Sequence, residues 1–181
     1  ELSEAQKHFP SLTVDALAFV LHEPEAGMLR AADGVRALVA RAREAGARVV
    51  RAEATPTPSG PEVSGRLLEA DAVVWACGAW LGRLFPELVQ LRVTFQELAL
   101  FQAGREWRGP GWVDFDAAFY GHALVEPHGV KVAPDFDGPD TDPDERSLEA
   151  TREAIARTRG YVAHRFPALA DAPLASAPGC H

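Results

Sequence analysis

Lys131 stands between Val130 and Val132 in an apolar stretch. Alternation along a strand puts both valines on one face and the ammonium on the other. A cation placed this way is either a gatekeeper that blocks pairing at a sheet edge or a charge aimed into a pocket. Of the 18 Lys and Arg residues only Lys7 and Lys131 are lysine, so Lys131 stands apart from the general surface complement of arginines. A second stretch with chemical potential is Val73-Val74-Trp75 running into Ala76, Cys77, Gly78 and Ala79, then Trp80. Small residues at the C-terminal end of a strand let the backbone approach a ligand closely. The same residues also make a tight strand-to-helix turn with no ligand at all.

Other constellations are weaker. The acidic loop from Pro134 to Glu145 has carboxylates at a spacing that invites a calcium reading. Its Gly138 arrives too early for an EF-hand and prolines interrupt it, so a solvated loop capping the next helix is the better expectation. His122 and His128 flank a turn and could meet across it, but a pair lacks the third ligand of a catalytic zinc. No G-x-G-x-x-G, P-loop, H-E-x-x-H or nucleophile elbow occurs in the sequence.

The elements that must position these residues follow from periodicity. Leu17 to His22 reads as a strand. Asp33 is a suitable N-cap for a helix in which Val35, Leu38, Val39 and Ala42 share one face, ended by Gly46. Arg48 to Arg51 is a short strand. Thr55 to Gly65, rich in Pro and Gly, is a loop or hairpin tip with Leu67-Leu68 on the return. Strands are expected over 73–75, 93–101, 112–115, 118–125 and 128–132, with Glu126 to Gly129 as a hairpin turn. A helix is expected from Pro143 to Arg165, with Thr151, Ile155, Thr158 and Val162 inward and Pro167 stopping it. The fold class is α+β: a mixed, largely antiparallel sheet with helices packed on one side.

The 181 residues suffice for a real core, and 47% hydrophobic with 24% charged residues is ordinary globular composition. A formal charge of −8 argues against nucleic acid as a partner. No apolar run reaches the roughly 20 residues that span a bilayer, and the polar, acidic start (Glu1, Ser3, Glu4) is unlike a signal peptide. Two cysteines, Cys77 and Cys180, are too few for a disulfide framework and fit a reducing, cytoplasmic setting. A start at Glu1 and a stop just after Ala177-Pro178-Gly179 read as the ends of an internal fragment.

Three stretches carry a family resemblance. Gly27-Met-Leu-Arg30 with the helix to Gly46 and Ala47-Arg-Val-Val50 resembles a segment shared across the D-amino-acid-oxidase-like FAD-dependent oxidoreductases. Ala70-Asp-Ala-Val-Val-Trp-Ala-Cys-Gly-Ala-Trp80 resembles the strand of that superfamily whose glycine end packs against FAD. Phe119-Tyr120-Gly121 followed by Gly129-Val130-Lys131 resembles the branch of monomeric sarcosine oxidase and N-methyltryptophan oxidase.

The resemblance implies an FAD-dependent oxidase acting on the amine of a small amino acid, with molecular oxygen as acceptor. It implies Lys131 over the flavin in the oxygen step and Tyr120 in the substrate cavity, both catalytic. It places Ala76, Cys77, Gly78 and Trp80 against the cofactor and puts Cys180 where those enzymes carry the cysteine joined to the flavin. Residues 1–90 then belong to the FAD-binding domain and 91–181 to the substrate domain. The family's dinucleotide-binding motif is expected upstream of Glu1, so the isolated chain is expected to be inactive and to self-associate through exposed apolar surface. Two departures stand out: Phe95 where the family often has Arg, and Asp135 where the branch can have His. The alternatives are a glycine-oxidase-like or dehydrogenase member of the superfamily, and a non-catalytic binding module.

Overall fold

The computed structural model describes residues 2–9, 11–125, 128–144 and 148–181. By contact the chain divides into two units, residues 1–28 with 93–181, and residues 29–92. The first holds a five-stranded sheet in the order β6-β7-β8-β5-β9. Its strands are β5 (Ala99–Phe101), β6 (Trp112–Asp114), β7 (Phe119–Val125), β8 (Gly129–Pro134) and β9 (Leu174–Ser176). Every pairing is antiparallel. A two-stranded ribbon joins β4 (Gln96–Glu97) to β10 (Gly179–Cys180). The unit also has α1 (Leu2–Ala5) and α4 (Arg152–Arg165). The expected α+β class, with helix and largely antiparallel sheet, is what the chain adopts.

Alternation sorts the sheet into two faces. Ala99, Phe101, Val130, Val132, Phe119 and Trp112 point to one, and they build the core with Tyr161 and Val162 of α4 and with Phe9, Trp107, Phe166 and Leu169. Phe166 is the hub of this core, with Trp112 at 4.7 Å and Phe9 at 5.7 Å between ring centroids. Phe119 stacks on Tyr161 at 4.3 Å. Such aromatic pairs contribute beyond their buried area. Gly121 makes room for this layer, since a Cβ there would lie 2.1 Å from the Trp112 ring. The indole of Trp112 in turn donates to the Tyr161 hydroxyl at 3.1 Å. Burial, then the charge of Asp114, push the ionisation of that hydroxyl well above the ordinary tyrosine value.

The helix expected from Pro143 begins at Arg152 instead. The residues before it are engaged elsewhere: Ala150 N donates to Ala177 O and Gly179 N to Leu148 O. Thr151 caps the helix by accepting from Ala154 N at 3.2 Å. The inward face is Ala154, Thr158, Tyr161, Val162 and Arg165, so Thr158 and Val162 are as expected while Ile155 is only half-buried. Among the described residues, the acidic loop bonds to the segment at 93–95 and not to α4. Phe95 N donates to Pro139 O, Thr141 N donates to Val93 O, and Thr94 bridges to Asp140. These bonds shorten the strand expected over 93–101 to β4 and β5. Glu126 and Pro127 of the expected hairpin turn lie outside the described residues; the flanking pair is Val125 with Gly129.

The second unit contains α2 (Ala31–Glu44) and a three-stranded antiparallel meander of β1 (Ala54–Thr57), β2 (Gly60–Val63) and β3 (Arg66–Leu67). The Pro- and Gly-rich stretch is thus a hairpin. The N-cap of α2 is Arg30, while Asp33 lies in the first turn and pairs with Arg30 at 2.7 Å and with Arg36. The end at Gly46 holds: its φ is +94°, Gly46 N donates to Arg43 O and Ala47 N to Ala42 O, the two bonds of a Schellman end. The segments expected as strands at 17–22, 48–51 and 73–75 have no ladder partner among the described residues. An apolar run becomes a strand only when a second backbone satisfies its N–H and C=O groups. No helix among the described residues is long and apolar enough to cross a membrane.

Candidate functional site

Lys131 lies on β8, which is flanked by β7 and β5. It is therefore not an edge gatekeeper. It occupies the middle of the sheet, on the face opposite the core, where pairing puts it across from His122 on β7 and Leu100 on β5. Its Nζ donates to the Tyr120 hydroxyl at 3.0 Å and sits 4.5 Å from the Tyr120 ring centroid. The side chain is thus aimed by both a hydrogen bond and a cation–π contact.

These two residues line a cleft of about 290 Å³ with Gln96, Glu97, Ala133, Asp135, Phe136, Asp137 and Cys180. Cys180 is exposed at the end of the chain and pairs with Gln96 across the β4–β10 ribbon. Gly179 lets this ribbon form, because a Cβ there would lie 2.0 Å from the Phe95 ring. Gln96 is best satisfied with its amide oxygen accepting from Gly138 N at 3.0 Å and its nitrogen donating to Phe136 O at 3.2 Å. Buried Glu97 accepts from Thr151 N at 2.6 Å, which ties the ribbon to the start of α4. Tyr120, Lys131 and Cys180, distant in sequence, therefore meet at one cleft.

Ala76, Cys77, Gly78 and Trp80 lie in the second unit. Cys77 precedes a 3₁₀ turn over Gly78–Trp80 that leads into α3 (Leu81–Leu84). Gly78 has φ +53°, a conformation that by itself accounts for a glycine. Cys77 is half-buried; Ala76, Gly78 and Trp80 are exposed.

Asp135 was legible as a departure, and the period-2 run Lys131, Ala133, Asp135 could have placed it on the lysine's face. Gln96 and Glu97 carried no local signal, because long-range pairing with β10 brings them to the cleft. His122 does not meet His128; it faces Lys131. Burial, and after it the Lys131 charge, lower the affinity of its imidazole for a proton below the usual histidine range.

The sequence matches the FAD dependent oxidoreductase (DAO) family over residues 1–180. The chain belongs to this FAD-dependent oxidoreductase family. Solved structures with a similar fold include amadoriase II, a deglycating fructosamine oxidase from Aspergillus fumigatus, at 22% identity and TM-score 0.59 over 80% of this chain. L-proline dehydrogenase from P. horikoshii is 15% identical, with TM-score 0.64 over 81%. Amadoriase I, a fructosyl amine:oxygen oxidoreductase from A. fumigatus, is 25% identical, with TM-score 0.55 over 67%. The chain spans 42%, 42% and 32% of these three structures respectively. No curated protein matches it significantly.

The cleft residues suit the family's cofactor. An ammonium and a phenol are donors that match the carbonyl oxygens and ring nitrogens of a flavin, and the same cleft carries the thiol of Cys180.

Proposed function

We propose that this oxidoreductase chain is the substrate-side part of an FAD-dependent enzyme that oxidises the amine of a small amino acid, in the manner of sarcosine oxidase, with molecular oxygen as acceptor. The observation that carries the reading is the Lys131–Tyr120 pair at 3.0 Å, on the sheet face opposite the core and in the cleft that also holds Cys180. FAD, when bound, accepts the electrons leaving the substrate's C–N centre. Lys131 supplies a fixed positive charge where oxygen gathers negative charge on reduction, and a preorganised charge needs no rearrangement at that moment. Tyr120 holds the ammonium in place by accepting its hydrogen bond, and its ring walls the substrate side of the cleft. Cys180 is the residue for attachment to the flavin, and Ala76, Cys77, Gly78 and Trp80 are the further cofactor-binding residues. Asp135 at the cleft repels a carboxylate close to it, which favours substrates whose acid group is held elsewhere.

The test is Lys131→Met in the flavin-loaded, full-length parent, followed by stopped flow. Reoxidation by oxygen is expected to slow by about 100-fold or more, the scale for losing one preorganised electrostatic group. Anaerobic reduction by substrate should change by no more than a few-fold. Equal losses in both half-reactions would move Lys131 out of the oxygen step. A parent that reduces another acceptor and not oxygen would point to the dehydrogenase alternative.

A further inference from the structure

We propose that His122 is a positioning residue for the Lys131 centre: uncharged, it leaves Lys131 as the one cation of the pair, and protonated, it adds a second cation to the same face. This rests on the role given above to Lys131 in the oxygen step. The geometry is specific. His122 and Lys131 are direct cross-strand partners on β7 and β8, a placement that puts the two Cβ atoms about 4.5–5.5 Å apart. The His122 ring centroid is 6.2 Å from that of Tyr120, which accepts the Lys131 hydrogen bond. On its other side His122 meets Gly111, where an added Cβ would lie 3.5 Å from Cδ2 of the imidazole. Gly111 brings no charge; among the described residues, the charged group acting on His122 is Lys131 across the ladder, and the Tyr120 ring lies beside it on its own strand.

The physical consequence has a definite sign. A half-buried imidazole opposite an ammonium resists protonation, first from burial and then from the like charge. Its neutral form prevails at neutral pH, and the second positive charge appears only as pH falls below the ordinary histidine value of 6.5. Negative charge forming beside Lys131 is then stabilised by two cations rather than one. On a half-buried sheet face this added charge should speed that step on the order of threefold to tenfold.

Two measurements test it. The first needs no flavin: the His122 ring is titrated by NMR in this chain and in its Lys131→Met variant. His122 should titrate below 6.5 in the unmodified chain. Its titration should move upward in the variant yet stay below 6.5, since burial persists. A His122 that titrates at or above 6.5, or that ignores the loss of Lys131, would overturn the proposal. The second is the pH profile of reoxidation in the flavin-loaded, full-length parent. The rate should rise as pH falls through the His122 titration, and His122→Gln should flatten that limb. If His122→Gln keeps the limb while Lys131→Met still slows reoxidation, the His122 role fails and the function reading stands. If Lys131→Met slows nothing, both fail.

Discussion

Replacing Asp114 by Asn is a sharp test of how the first unit is held together. Asp114 ends β6, and its Oδ2 lies 2.9 Å from Arg165 Nε, with both side chains only 7% exposed. The other oxygen, Oδ1, accepts from Ala117 N at 3.1 Å. The guanidinium also donates from Nη1 to Thr13 O at 2.7 Å, so one arginine ties α4 to β6 and to the N-terminal segment. Asn keeps the shape but removes the charge. Its single oxygen can satisfy Arg165 or Ala117, leaving an amide NH₂ against a donor and a guanidinium without its counter-charge. Breaking a buried pair from one side costs about 3–5 kcal/mol. In a chain of this size that is a fall in Tm of roughly 6–20 °C. The assay is thermal unfolding followed by fluorescence of Trp107 and Trp112, with Trp75 and Trp80 replaced by Phe so that only the first unit reports. The double variant Asp114→Leu with Arg165→Met should lose at least about 2 kcal/mol less than the two single changes added together, because neither charge is stranded. A loss under about 1 kcal/mol for Asp114→Asn, or strict additivity in the double variant, would refute the view that the pair acts as one buried unit.

Cys180 is exposed and Cys77 half-buried, so a thiol reagent should modify Cys180 first, with both reacting after denaturation; simultaneous labelling of the folded chain would contradict this ordering. Gly129 has φ +96°, and a Cβ there would lie 2.3 Å from Phe101 O. Gly129→Ala should therefore destabilise the first unit by about 2–4 kcal/mol from backbone strain and overpacking together, and a urea midpoint equal to that of the unmodified chain would count against the close β5–β8 approach.

Much of the candidate site was readable in the residues because its signals are local. Alternation around Lys131 separates it from Val130 and Val132 whatever the rest of the chain does, and Gly46 marks a helix end because a positive φ suits glycine. Antiparallel strands over 112–134 are equally local, since a short turn brings each to its neighbour. What local pattern cannot carry is which strand lies on the far side. Whether Lys131 guards an edge or faces a cleft depends on β5 pairing with β8, a contact between residues 99–101 and 130–132. The start of α4 was misplaced for the same reason: residues 148–150 bond to 177–179, and a distant segment took backbone groups that the helix would have used. The strands expected at 17–22, 48–51 and 73–75 have the right composition and no ladder partner among the described residues. Side-chain pattern by itself determined which faces are apolar and where the lone strand lysine points. Only the tertiary structure decided which backbones pair, and through that pairing it brought Tyr120, Lys131 and Cys180 to one cleft.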